Sequence, residues 1–120
     1  MTGRLTTHVL DISCGLPAIG MNIELFQIIE PIGEKELIRK VITNKDGRIE
    51  GTLLEGTTLR SGVYELMFFA GDYYRNIGSV EEHNILFDRI PIRFLVNDEQ
   101  AHYHIPLLTA PGGYSTYRGS

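Results

Sequence analysis

The sequence contains one cysteine, Cys14. With no second thiol in the chain there is no intrachain disulfide, and nothing directs the protein to an oxidising compartment. Cationic excess is missing as well. Lys+Arg 11 against Asp+Glu 15 gives a net charge of -4, which removes the electrostatic basis for nucleic acid or an anionic membrane surface as a partner. No apolar run reaches the length of a membrane span, and the opening MTGRLTTHVLD lacks the apolar stretch of a secretory signal. There is no glycine-rich phosphate loop, because Gly112-Gly113 reads as a turn, and no G-x-S-x-G elbow surrounds Ser13, Ser61, Ser79 or Ser115. Repeats and low-complexity tracts are absent. These exclusions leave the expectation of a soluble cytoplasmic protein forming one domain over residues 1–120, long enough to bury a core.

What the chain does contain is short apolar alternation broken by turn signals, the pattern of an all-β sandwich. Strands are expected over Leu5–Ile12, Met21–Ile29, Glu36–Thr43, Ile49–Leu54, Val63–Ala70, Ile85–Val96, Ala101–Leu108 and about Tyr114–Arg118, eight in all. Val63–Ala70, VYELMFFA, is too apolar for a solvated face and is expected to be central and covered on both sides. Pro91 removes a ladder donor and marks its strand as an edge or a bulge. Gly71–Gly78 breaks the alternation, with Asp72 as N-cap and Gly78 as terminator of one short helix. Asp46-Gly47 supplies the positive φ of a tight turn, and Arg48 follows it. The apolar content of Ile85–Val96 and Val63–Ala70 hints at an interface.

Three of the four histidines, His8, His102 and His104, fall in expected strands. His102 and His104 are two residues apart and therefore share a face, while His8 shares one with Thr6, Leu10 and Ile12. Imidazole is the natural base near neutral pH. Arg48 is a candidate for holding an anionic or enolate-like oxygen through its two-pronged fork. The same three histidines could instead ligate zinc, although no further ligand stands at a characteristic spacing. The stretch Tyr117-Arg118-Gly119-Ser120 offers an aromatic ring, a guanidinium and a hydroxyl, more chemistry than terminal filler carries, and is expected to fold back into a site.

Three segments carry a resemblance: Leu5-Thr6-Thr7-His8-Val9-Leu10-Asp11, Asp46-Gly47-Arg48, and His102-Tyr103-His104-Ile105-Pro106-Leu107-Leu108 continued by Tyr114 to Ser120. Across essentially its whole length the chain resembles the transthyretin-like family of 5-hydroxyisourate hydrolases, enzymes of urate breakdown. The Tyr-Arg-Gly-Ser ending is the most specific of the motifs, since the hormone carrier transthyretin lacks it, together with the histidines and the arginine. The resemblance implies an eight-stranded two-sheet sandwich with one short helix. It also implies a homotetramer with its sites at the dimer-dimer interface, and metal-free hydrolysis of the ring amide of 5-hydroxyisourate to 2-oxo-4-hydroxy-4-carboxy-5-ureidoimidazoline, without a cofactor. By family match the site residues are His8, Arg48, His104 and Tyr117 to Ser120, with His102 ranked second. In the reaction so drawn, His104, oriented by Ser120, takes a proton from water. His8 and Arg48 bind substrate and the developing oxyanion, and Tyr117 and Arg118 wall the pocket. An assignment of His8 as the base stays open. A metal-dependent hydrolase and a non-catalytic carrier of small aromatic ligands are the competing readings.

Overall fold

The computed structural model describes residues 2–78 and 80–120. The expected two-sheet sandwich with one short helix is what the chain forms. Its strands are β1 (Arg4–Asp11), β2 (Leu16–Pro17), β3 (Asn22–Ile29), β4 (Glu34–Ile42), β5 (Leu54–Glu55), β6 (Gly62–Phe68), β7 (Ile90–Val96), β8 (His102–Ala110) and β9 (Gly113–Thr116); helix α1 (Ala70–Ile77) lies between β6 and β7. One sheet runs β2-β1-β8-β9, with β5 also paired to β1, and the other runs β4-β3-β6-β7. Every pairing is antiparallel except β1 with β8, which is parallel.

Alternation builds the core directly. Leu5 and Val9 of β1 and Ile105 and Leu107 of β8 face inward, against Ile23 and Leu25 of β3, Tyr64, Leu66 and Phe68 of β6, and Ile90 of β7. Burying each such side chain contributes about 1.5–3 kcal/mol relative to leaving it in water. Among the buried polar side chains, Asp11 is fully partnered. The Asp11 carboxylate is 1% exposed and accepts hydrogen bonds from the Tyr73 hydroxyl at 2.8 Å, the Tyr74 hydroxyl at 3.3 Å and the Ser13 main chain and side chain. Burial pushes the Tyr74 phenol up to about 12, so it stays a donor. This cluster ties α1 to the end of β1.

Several expectations are corrected. The strand expected over Ile49–Leu54 reduces to Leu54–Glu55. Ile49 and Leu53 are buried in the core, yet Gly51 turns the chain at φ 76 between them. Ile85–Val96 is strand only from Ile90; before it the chain wraps α1, with the Asp88 carbonyl accepting from the Gly71 N–H at 2.8 Å. Asp72 is not the N-cap. That position is Phe69, which makes no side-chain cap, and Asp72 sits in the first turn paired with Arg75 at 3.0 Å. Gly78 does terminate the helix in the left-handed region. β7, which holds Pro91, is an edge strand, as the missing donor required. β6 is interior to its sheet, but its outer face is covered by charge rather than by a second apolar layer. Glu65, 3% exposed, pairs with Lys35 at 2.6 Å and Arg93 at 3.3 Å. Among the apolar side chains of 85–96, Leu86 and Leu95 are exposed at 71% and 65%, whereas most of Val63–Ala70 is buried.

Candidate active site

The candidate site is written on the outer face of the β1/β8 pair. Their register sets Arg4 beside His102, Thr6 beside His104 and His8 beside Pro106. Because Leu5, Thr7, Val9 and Asp11 take the inward positions of β1, residues Arg4, Thr6, His8 and Leu10 must face outward. The same logic turns His102 and His104 outward while Tyr103 and Ile105 are buried. His8, His102 and His104 are all half-buried.

Arg48 reaches this face through a loop folded on itself. The Asn44 side-chain oxygen accepts from the N–H groups of Asp46 at 2.9 Å and Arg48 at 3.2 Å, and the Gly47 N–H donates to the Asn44 carbonyl at 3.0 Å. The loop then lies along β1, with the Val9 N–H donating to the Gly47 carbonyl at 2.8 Å. Gly47 has φ +73, and a side chain there would overlap the Val9 carbonyl oxygen, so both conformation and space demand glycine. One carbonyl further back, Asp46 accepts from His8 Nε2 at 2.9 Å. A carbonyl can only accept, so this nitrogen carries the proton and neutral His8 presents Nδ1 as its lone pair.

His104 is held on both sides. Its Nδ1 lies 2.8 Å from the Thr6 hydroxyl, which also lies 2.8 Å from His102 Nε2. Its main-chain carbonyl accepts from the Gly119 N–H at 2.8 Å. That bond draws residue 119 across the imidazole so closely that a Cβ there would overlap His104 Cδ2. Tyr117, Arg118 and Ser120 are exposed. Arg118 bends over the Tyr103 ring, 4.5 Å from its centroid, and donates to the His102 carbonyl at 3.1 Å. With Tyr117 and residues of β7, it lines an edge cleft of about 310 Å³ between the two sheets. The expected partner of His104, Ser120, is replaced at Nδ1 by Thr6. The closest fold-back contact comes from Gly119.

The electrostatics favour neutral imidazoles. Burial first, and then the charges of Arg48, His102 and His8, hold His104 below the ordinary 6.5, opposed by hydrogen bonding to Thr6. Burial and Arg48 do the same to His8, opposed by the Asp46 carbonyl. Burial, Arg4 and Arg118 lower His102. Arg48 thus acts on both His8 and His104, so three residues from β1, the 44–48 loop and β8 work as one group. Two neutral bases beside a guanidinium can take a proton from water and stabilise a negative oxygen. Among the described residues, no group of three or more histidine, cysteine, aspartate or glutamate side chains is arranged to hold a metal ion.

Sequence reasoning missed Thr6 and Gly119 as individual site residues. Thr6 was visible as a face-mate of His8, but its place between two imidazoles depends on a pairing with β8.

The sequence pattern of the HIUase/Transthyretin family matches residues 5–119. The chain belongs to the HIUase/Transthyretin family. Within it, the chain is 52% identical over its full length to "5-hydroxyisourate hydrolase" of Halalkalibacterium halodurans, all of which it also covers. Among solved structures, 99% of the chain superimposes on "(S)-allantoin synthase" with a TM-score of 0.91 and 41% identity, spanning 44% of that longer chain. Sea bream transthyretin in complex with thyroxine shares the fold at a TM-score of 0.85, with 25% identity over 97% of this chain and 94% of that one. The family therefore includes a protein named as a hydrolase and a transthyretin solved in complex with thyroxine, to which this chain is 52% and 25% identical, respectively.

Proposed function

We propose that this protein is a hydrolase of urate degradation that opens the ring amide of 5-hydroxyisourate with water, giving 2-oxo-4-hydroxy-4-carboxy-5-ureidoimidazoline. The observation that carries this reading is the convergence of two imidazoles, both held below their ordinary pKa, on one guanidinium. Amide hydrolysis needs a base for water and a cation for the tetrahedral oxyanion. His104 Nε2 takes a proton from water, the resulting hydroxide adds to the carbonyl carbon, and Arg48 holds the oxygen that becomes negative. Collapse breaks the C–N bond, and the proton on His104 Nε2 goes to the departing nitrogen. His8 accepts a hydrogen bond from the substrate through its bare Nδ1. Ser120 lies beyond Gly119 at the His104 end of the site, Arg118 stands beside His102, and Tyr117 lines the edge cleft against β7. The reaction as drawn uses no metal, and turnover in the presence of a chelator is the expected outcome.

The histidine face lies open on a single subunit, so a second copy is needed to exclude bulk water from the reacting atoms. Exposed Ile12, Leu16 and Ile19, at 56%, 61% and 58%, are suited to such packing. The assembly we propose is a homotetramer of single-domain subunits, with sites at the dimer-dimer interface, working in the cytoplasm. No helix among the described residues is long and apolar enough to cross a membrane.

The test is the ultraviolet absorbance decay of freshly generated 5-hydroxyisourate with the purified protein and with a variant truncated after Thr116. Acceleration over spontaneous decay, lost on truncation, is expected. A folded full-length protein giving no acceleration overturns the hydrolase reading. The carrier reading, favoured only by the fold shared with transthyretin, would instead give ligand binding without turnover.

A further inference from the structure

The Thr6 hydroxyl stands at 2.8 Å from His104 Nδ1 and at 2.8 Å from His102 Nε2. A hydroxyl has one proton to donate and lone pairs to accept with. Bridging two ring nitrogens, it donates to one and accepts from the other, so the three groups form a directed chain. Two directions are conceivable, and they give His104 opposite chemistry. If His104 Nδ1–H donates to Thr6 and the Thr6 hydroxyl donates to His102 Nε2, His104 Nε2 is a bare lone pair. In the reverse direction His104 Nε2 carries the proton and cannot accept one from water. The first direction is the one in which His104 Nε2 can accept a proton from water, and the parallel register that sets Thr6 directly beside His104 holds the hydroxyl on the Nδ1 side of the ring. His8, by contrast, is fixed by a main-chain carbonyl, that of Asp46, in the opposite tautomer.

We propose that Thr6 is a positioning residue for His104, its hydroxyl passing a hydrogen bond from His104 Nδ1–H to His102 Nε2 and so leaving His104 Nε2 unprotonated toward the substrate. His102 is the acceptor that sets the direction of the chain. This gives the first histidine of the His-x-His pair a role distinct from metal ligation or substrate contact. The direction of the chain and its kinetic consequences rest on the hydrolase reading, whereas the Thr6 bridge itself does not.

The experiment is nitrogen-15 NMR of the imidazoles in the intact wild-type protein at a pH where they are neutral, together with Thr6→Val, Thr6→Ser and His102→Ala. The expected wild-type signature is Nδ1–H for His104 and Nε2–H for His8. Thr6→Val keeps the side-chain shape and removes the hydroxyl. It should lower kcat by roughly ten- to a hundredfold, the range for partners that orient a ligating or catalytic imidazole, with KM little changed and the His104 resonances moved toward a tautomer mixture. Thr6→Ser should restore both rate and signature, and His102→Ala should move the signature in the direction of Thr6→Val. Nε2–H on His104 in the wild-type protein overturns the proposal whatever the kinetics show. An unchanged signature in Thr6→Val does so too, whereas failure of the wild-type protein to hydrolyse 5-hydroxyisourate overturns the hydrolase reading and leaves the tautomer measurement standing.

Discussion

Replacing Gly119 by alanine tests whether the fold-back at residue 119 sets the position of His104. The added methyl would overlap His104 Cδ2 and lie 3.2 Å from Cγ. Carbon atoms rest at about 3.5–4.0 Å, so relieving the overlap requires the imidazole or residue 119 to move by roughly 1 Å. The imidazole is anchored at Nδ1 by Thr6, and residue 119 is anchored by its N–H to the His104 carbonyl. Either anchor must yield. A misplacement of about 1 Å in a reacting group lowers turnover by about a hundredfold. The loss of stability is much smaller, since one exposed-edge hydrogen bond contributes about 1 kcal/mol, equivalent to a Tm shift of about 4 °C for a domain near this size. The assays are steady-state hydrolysis of 5-hydroxyisourate followed in the ultraviolet, and thermal unfolding followed by circular dichroism. Turnover within twofold of the parent protein would refute the reasoning, because it would mean that neither anchor holds His104 at its working position.

Arg48→Gln removes a cation that helps, after burial, to depress both His104 and His8. The acid limb of the kcat profile, expected below pH 6.5 in the parent, should move to higher pH, on top of a lower plateau, and an unmoved limb would count against the coupling. A depressed folded-state value also means that the stability contributed by His104 is present above its unfolded pKa, about 6.5, and is lost as pH falls through the lower folded value. Unfolding in denaturant at pH 7.5 and at pH 5.5 measures this loss, and Arg48→Gln should reduce it. Tyr73→Phe deletes the donor to Asp11 Oδ2 at 2.8 Å in a buried site, and should cost about 1–3 kcal/mol in denaturant unfolding while leaving the pH profile unchanged. Gly47→Ala meets both a positive φ and the Val9 carbonyl. It should cost more than the roughly 1–2 kcal/mol of left-handed strain alone and reduce turnover by displacing Arg48 and the Asp46 carbonyl, measured by the same two assays.

The elements that the alternating pattern predicted well are those whose alternation has a single cause. β1 and β8 each put one row of side chains in the core and one on the surface, so period two marks both the strand and its faces. Ile49 to Leu54 has the same alternation for a different reason. Ile49 and Leu53 plug the core from an irregular crossing interrupted by Gly51, and a burial pattern alone does not separate that from a strand. Asp72 has the chemistry of an N-cap, but Arg75 competes for it, and the helix begins two residues earlier without a side-chain cap. At the site, His8, Arg48 and His104 are assigned by family match, and the electrostatics group them because Arg48 acts on both imidazoles. Thr6 was not legible, since threonine is an ordinary strand residue and becomes a bridge only through register with a distant strand. Gly119 was seen as part of a motif, while its reason for being glycine is a contact that no local rule contains.

That distant register has a consequence for how the protein comes into being. Thr6 and His104 are 98 residues apart in sequence, whereas β3 and β4 are joined as neighbours in the chain. During synthesis the first of these two strands leaves the ribosome long before its partner exists. Loop closure over such a span is entropically costly and slow, so the second sheet can pair locally while the first waits. In a refolding experiment, recovery of hydrolysis should therefore trail the recovery of β-structure, and enzyme activity would serve as a clock for the closing of the β1/β8 seam.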